Sequence, residues 1–242
     1  MLALVLAWLL SLAPAAAYDQ GNSLYAHKDY EGAARAYREA LQGGHDARVD
    51  YNLGNALFKS GRIGEAIAEY RRARVLSPRD RDVATNLAFA RAYRLDKGAP
   101  PPDPFARAFA TAFHALSKRE AASAAGAACA LASLALATWI VWRWRAAAIA
   151  SGVLGLAALY ALATEWVWSA EVRAQPAVVV VPEVNLTSGP GEEFKQILLV
   201  HDGTEVSIRE ARGDYLLVQL PGGAGGWVKR NALERVYPAR SG

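Results

Sequence analysis

The 242-residue chain contains one cysteine, Cys129, and one methionine. A lone thiol closes no intramolecular disulfide, and no Cys cluster is present to hold zinc. The four histidines, His27, His45, His114 and His201, are scattered, with no His-x-x-x-His pair and no spaced carboxylate set beside them. A metal site is therefore not expected. There is no Gly-x-Ser-x-Gly elbow, and the glycine-rich run Gly222-Gly-Ala-Gly-Gly226 sits in a β-rich region instead of opening a helix. These absences leave neither an activated nucleophile nor a phosphate loop, so no catalysis and no cofactor are expected. Basic residues exceed acidic ones by only four, 27 against 23, and form no stripe interleaved with aromatics. That excludes a nucleic-acid footprint.

Charge is also missing locally. Residues 121–142 carry none, and residues 146–168 carry only Glu165. Each run is long enough to form a helix about 33 Å long, sufficient to cross a bilayer. The first is rich in Ala, Ser and Gly, which allows close packing against the second, so a two-helix transmembrane hairpin is expected. Its turn, Arg143-Trp-Arg145, places positive charge on the cytoplasmic side, while Trp166 and Trp168 suit the opposite interface. Glu165 then lies within reach of headgroups, or serves as an intramembrane carboxylate. The N-terminal residues 1–17 form an apolar run ending in Ala-x-Ala and read as an export signal, cleaved or retained as an anchor. Both features place the flanking segments outside the cytoplasm, in the periplasm of a bacterial inner-membrane protein.

Between them the chain repeats itself. Gly21, Ala33, Tyr37 and Ala40 recur at Gly54, Ala66, Tyr70 and Ala73, an offset of 33, and Asn86-Leu-Ala answers Asn52-Leu-Gly before the pattern stops. Small residues allow two antiparallel helices to approach, Gly61 suits the turn, and Pro78 ends the second helix. Residues 18–96 thus resemble two and a half tetratricopeptide repeats, an all-α solenoid with a concave face. At the groove-lining spacings of that family stand Asn22, Tyr25, Tyr51, Asn52, Asn55, Phe58, Lys59 and Asn86. An asparagine amide both donates and accepts, so these residues either hold a partner's backbone or bridge neighbouring helices.

Residues 97–104 carry four prolines and read as a semi-rigid spacer or a proline-rich ligand. Phe105, Phe109, Phe113 and Leu116 recur at helical spacing over 105–119, as in a helix lying on a membrane surface. From 176 to 237 the pattern changes to five or six short β-runs separated by turns. The segments His201-Asp-Gly-Thr-Glu-Val and Gly226-Trp-Val resemble a bacterial SH3-like barrel, an all-β module. Tyr215 and Trp227 are its candidate surface aromatics, with Trp227 alternatively closing the core.

The order of parts resembles the BatE-type proteins of the Bacteroides aerotolerance operon. That resemblance implies a membrane-anchored scaffold in a stress-tolerance complex, with von Willebrand factor A-domain membrane proteins and a MoxR-type ATPase system as partners. The alternative is a cell-wall sensor whose barrel binds peptidoglycan peptides.

Overall fold

The computed structural model describes residues 2–96 and 103–237, with only the backbone of 2–13 and of 106. Most of the expected proline spacer, 97–102, lies outside the described residues. The chain divides into two compact units, Met1–Pro100 with Ala174–Gly242, and Pro101–Arg173.

The first unit begins with five helices: α1 (Leu2–Ala26), α2 (Tyr30–Ala40), α3 (Ala47–Lys59), α4 (Ile63–Leu76) and α5 (Arg81–Ala92). Aspartates start three of them. Asp29 accepts from the Gly32 amide at 2.8 Å, Asp46 from Arg48 and Val49 at 2.9 and 3.4 Å, and Asp80 from Asp82 and Val83 at 2.9 and 3.2 Å. Each cap satisfies amides with no intrahelical partner, stabilising its helix by about 1 kcal/mol.

The helices pair through the small residues of the repeat. A Cβ on Gly21 would lie 2.5 Å from the Tyr37 ring, and one on Gly54 would lie 2.7 Å from the Tyr70 ring. Each tyrosine therefore lies flat against a glycine of the other helix in its own pair, and a larger residue there would force the two apart. Gly61, at φ 80°, makes the reversal between α3 and α4. Leu53, Ala56, Leu57, Ala66 and Ile67 fill the core between them.

Among the described residues of this unit, no second helix follows α5 to complete the third pair. A repeat stack left open at one end exposes an apolar face that needs a cap. Here part of that cover comes from the C-terminal strands, since Val178 and Val236 belong to the same buried cluster as the helices.

Those strands form one antiparallel sheet: β1 (Pro176–Val179), β2 (Glu183–Thr187), β3 (Gln196–His201), β4 (Glu205–Arg212), β5 (Tyr215–Gln219), β6 (Gly225–Lys229) and β7 (Leu233–Arg235). Their order is β3-β2-β6-β5-β4-β1-β7. Alternation works as expected on β4 and β5, where Val206, Ile208, Leu216 and Val218 turn into a second core with Ala177, Val179, Leu186, Val200 and Val228. Bulges at Leu186/Thr187 and Ile208/Glu210 bend the strands that carry them. There are seven strands where five or six were expected, because β7 is three residues long and follows a 3₁₀ turn at Arg230–Ala232, too short to show a period.

The second unit has three helices: α6 (Pro104–Phe113), α7 (Lys118–Trp142) and α8 (Arg145–Arg173). The surface helix expected over 105–119 ends at Phe113. Ser117 and Glu120 form a reciprocal capping box that starts α7, so Lys118 and Arg119 belong to the next helix. The Trp168 indole donates to the Leu116 carbonyl at 2.9 Å, and His114 lies 3.3 Å from Glu171, which ties the 114–117 turn to α8. Trp168 is therefore buried within this unit instead of standing at its margin, whereas Trp166 is exposed.

Helices α7 and α8 pack together, and their buried positions are mostly small: Ala121, Ala125, Ala158, Ala161 and Thr164. Arg143 joins them in the left-handed region at φ 56°, its guanidinium 4.9 Å from the Trp139 ring centre. Facing outward are Leu131, Leu134, Ile140, Ile149, Val153, Leu156 and Leu159. Both helices are long and apolar enough to cross a membrane by length and composition.

Candidate functional site

The repeat offset produces a ladder of side chains on the first helices of successive pairs. In the first rung, Tyr37 donates to the Asn22 carbonyl oxygen at 2.8 Å, and the Asn52 amide reaches Tyr18 Oη at 3.1 Å and Asn22 Oδ1 at 3.3 Å. In the second, Tyr70 donates to Asn55 at 2.7 Å, and the Asn86 amide reaches Tyr51 Oη at 2.9 Å and Asn55 Oδ1 at 2.9 Å. Tyr18, Asn22 and Tyr37 recur as Tyr51, Asn55 and Tyr70. Burial raises both tyrosines that donate to an asparagine, Tyr37 to about 12. They remain neutral donors throughout the physiological range.

The reading of the asparagines as bridges between neighbouring helices describes two of them here. Asn52 and Asn86 bridge adjacent helices with their Nδ2 atoms. Asn52 also lines a cleft of about 240 Å³, together with Asn22, Tyr25, Ala26, Tyr37 and Asn55. Within the ladder, Asn22 and Asn55 accept through Oδ1, and Asn52 and Asn86 donate through Nδ2.

Phe58 lies elsewhere on this surface, in an aromatic cluster with Phe89 at 5.5 Å and Tyr93 at 5.3 Å. Phe89 and Tyr93 are more than half exposed. Neither was singled out by the repeat pattern, because α5 belongs to the incomplete third copy and has no second helix to align. Lys59 stands apart, exposed at the end of α3.

On the sheet, Trp227 is buried with the Arg212 guanidinium 5.3 Å from its ring centre, and Tyr215 is half-buried. Trp227 stands opposite Thr187 and Leu217 on the neighbouring strands, one residue out of step with the core positions Leu186, Leu216, Val218 and Val228, so its side chain lies on the other face of the sheet. The exposed apolar residues of the sheet are instead Ile197, Leu198 and Leu199 on β3, with Phe194 before them. Strand β3 stands at one end of the strand order.

A second polar constellation joins the helices to the sheet. Glu205 receives Arg71 Nη1 at 3.0 Å, Arg91 at 2.8 and 2.7 Å, and Arg94 at 2.9 Å. Burial alone would raise this carboxyl, but the bonds and charges of Arg91, Arg71 and Arg94 outweigh it and hold it below its usual range. Asp96 accepts from the His201 amide at 2.8 Å, from Thr204 Oγ1 at 2.6 Å and from the His201 ring at 3.0 Å. Against the opposing effect of burial, these bonds pull its pKa down. Asp202 takes the Gly64 amide on both oxygens at 3.1 Å, at the positive end of α4. Burial pushes Asp202 upward despite that contact.

Residues 18–81 match the tetratricopeptide repeat family. The match covers α2, α3, α4 and the last nine residues of α1, and it includes both donor tyrosines of the ladder. Among curated proteins, none matches the chain. Tetratricopeptide repeats are protein-binding scaffolds, and the asparagine ladder lies along the first helices of these repeats.

Proposed function

We propose that the protein is a non-catalytic, membrane-anchored envelope scaffold whose repeats hold an extended segment of a protein partner. The observation that carries this reading is the hydrogen-bonded asparagine and tyrosine ladder beside a cleft of about 240 Å³. An internally satisfied ladder rigidifies those amides, so a bound backbone costs less ordering entropy. The SH3-like sheet offers a second partner surface at β3, where Ile197, Leu198 and Leu199 are exposed.

The anchor is the α7–α8 hairpin. A core helix of a soluble protein would be mostly buried, whereas only 6% and 17% of the apolar windows in α7 and α8 are buried within the protein. Lipid is the solvent that suits their Leu, Ile and Val side chains. With Arg143 and Arg145 on the cytoplasmic side, the repeats and sheet stand in the periplasm, and residues 1–17 act as the export signal. Resemblance to the BatE-type proteins assigns the partners to von Willebrand factor A-domain membrane proteins and a MoxR-type ATPase system in an aerotolerance complex.

A photo-crosslinking amino acid placed at Ala26, beside the cleft, in the full chain in native membranes tests this reading. The expected result is a crosslinked protein partner that disappears in Asn55→Ala/Asn86→Ala while the protein level is unchanged. A crosslink pattern indifferent to that double change overturns the groove assignment.

A further inference from the structure

The sequence gives no reason to connect His45, Asp50 and Glu69, which lie on the α2–α3 connection, on α3 and on α4. Folding brings one ligand atom of each within 4.8 Å of the other two. The Asp50 side chain is fully buried and Glu69 is 93% buried by side chain. One oxygen of each, Asp50 Oδ2 and Glu69 Oε2, has no hydrogen-bond partner among the described residues. Leaving two buried carboxylate oxygens without a partner is costly.

The neighbouring charge does not remove that cost. Arg72 binds Glu69 through the latter's other oxygen, and it is also held by Glu234, by the Arg235 carbonyl and by the Val236 carbonyl. Its charge is thus shared between Glu69 and Glu234. Counting Asp50, Glu69 and Glu234 against Arg72 leaves two negative charges when His45 is neutral. Arg230 and Arg235 line the nearby cleft, but they are engaged with the Gly213 carbonyl at 3.0 Å and with Gln175 at 3.1 Å.

We infer that His45, Asp50 and Glu69 bind one divalent transition-metal ion. Three atoms no more than 4.8 Å apart share a point within about 2.8 Å of each, so shifts of several tenths of an ångström reach the 2.0–2.2 Å of zinc–nitrogen and zinc–oxygen bonds. His45 is exposed on a loop and can supply that movement, giving up the 2.9 Å bond its Nδ1 now makes to Asp50. One imidazole with two carboxylates selects zinc and its neighbours over calcium or magnesium, which prefer all-oxygen shells. The fourth position opens toward a cleft of about 320 Å³ that His45 lines together with Arg72, Glu234 and Tyr237. The bond to Asp50 raises the pKa of His45 against the effect of burial, and burial raises that of Glu69.

The test is calorimetric titration of the full chain, solubilised in detergent and stripped with chelator, with Zn²⁺ and separately with Ca²⁺. One equivalent of Zn²⁺ is expected at micromolar or tighter affinity, with proton release shown by the dependence of the heat on buffer, and with no Ca²⁺ uptake under the same conditions. His45→Ala and Glu69→Gln should each weaken binding by about tenfold or more. His201→Ala, a control in the same unit, should leave it unchanged. Circular dichroism checks folding, and His45→Ala keeps the test valid if Glu69→Gln unfolds. Failure to bind one equivalent, equal binding of Ca²⁺, or an affinity unchanged in His45→Ala overturns the assignment.

Discussion

Replacing Glu205 by glutamine tests what holds the repeats to the sheet. The carboxylate sits among Arg71, Arg91 and Arg94, each with a nitrogen within 3.0 Å, and its side chain is 14% exposed. Glutamine keeps the volume but removes the charge, leaving three guanidiniums crowded together. Breaking a buried pair in this way costs about 3–5 kcal/mol, because the remaining charge has lost both water and partner. The lower end applies here, since the site retains some exposure. A global unfolding free energy is ill-defined for a chain with a separate apolar unit, so hydrogen exchange is the suitable assay. The amides of Gly64 and His201 donate across the junction to Asp202 and Asp96, and they become free when sheet and helices part. A loss of about 3 kcal/mol accelerates their exchange by roughly 10²-fold. Glu210→Gln, which breaks an exposed pair with Arg212 on the same strand, should change it by less than about threefold. Acceleration below about fivefold in Glu205→Gln would refute the reasoning, because it would mean the arginines find water and the cluster is not holding the junction.

Gly64→Ala should open the same junction by a different route, since its Cβ would lie 2.1 Å from the Val179 carbonyl oxygen; exchange at His201 reports it, and a normal rate there rules the clash out. Gly43→Ala, where an added Cβ meets nothing within 4 Å, is the matching control. The pH dependence follows from the two depressed carboxyls. Glu205 and Asp96 titrate lower in the folded protein than in the unfolded chain, so their contribution is complete above the unfolded value of about 4 and is lost as pH falls through the lower folded values. Thermal melts should show stability declining below about pH 4, with a shallower decline in Glu205→Gln; an identical decline in the variant would show that other carboxyls govern it.

Much of the repeat architecture was legible because it is periodic. Gly21 with Tyr37 and Gly54 with Tyr70 stand at one offset, and a flat ring on a bare backbone can be inferred from that pairing alone. The same offset relates Tyr18 to Tyr51 and Asn22 to Asn55, so the ladder could have been found by carrying the comparison from small residues to hydroxyls and amides. Phe89 and Tyr93 were not legible in this way, since the third copy breaks off before a matching partner. Contacts between distant segments were beyond any local pattern. Nothing near Glu205 announces three arginines that lie 111 to 134 residues earlier in the chain. Gly64 looks like an ordinary helix-start glycine until the Val179 carbonyl is placed against it. The length of the surface helix was misread because 105–119 continues an apolar period through Leu116, while the Ser117 capping box, a local signal, ends it.

The half repeat links the groove to the sheet. Helix α5 buries only Val83, Leu87 and Ala90, too little for a lone twelve-residue helix to hold its place by apolar packing. It is fixed from two sides: Asn86 binds Tyr51 and Asn55 in the groove, while Arg91 binds Glu205 on the sheet. These contacts lie five residues apart on one rigid element, so loosening either frees the other. Asn86→Ala and Glu205→Gln should therefore combine non-additively. The second change should cost less once the first has released α5, with an interaction energy of about 0.5–3 kcal/mol in a double-mutant cycle read by exchange at the amides of α5. Strict additivity would mean that the groove and the sheet are independent surfaces on a common scaffold. Coupling would mean that a partner bound to the ladder also tightens the sheet.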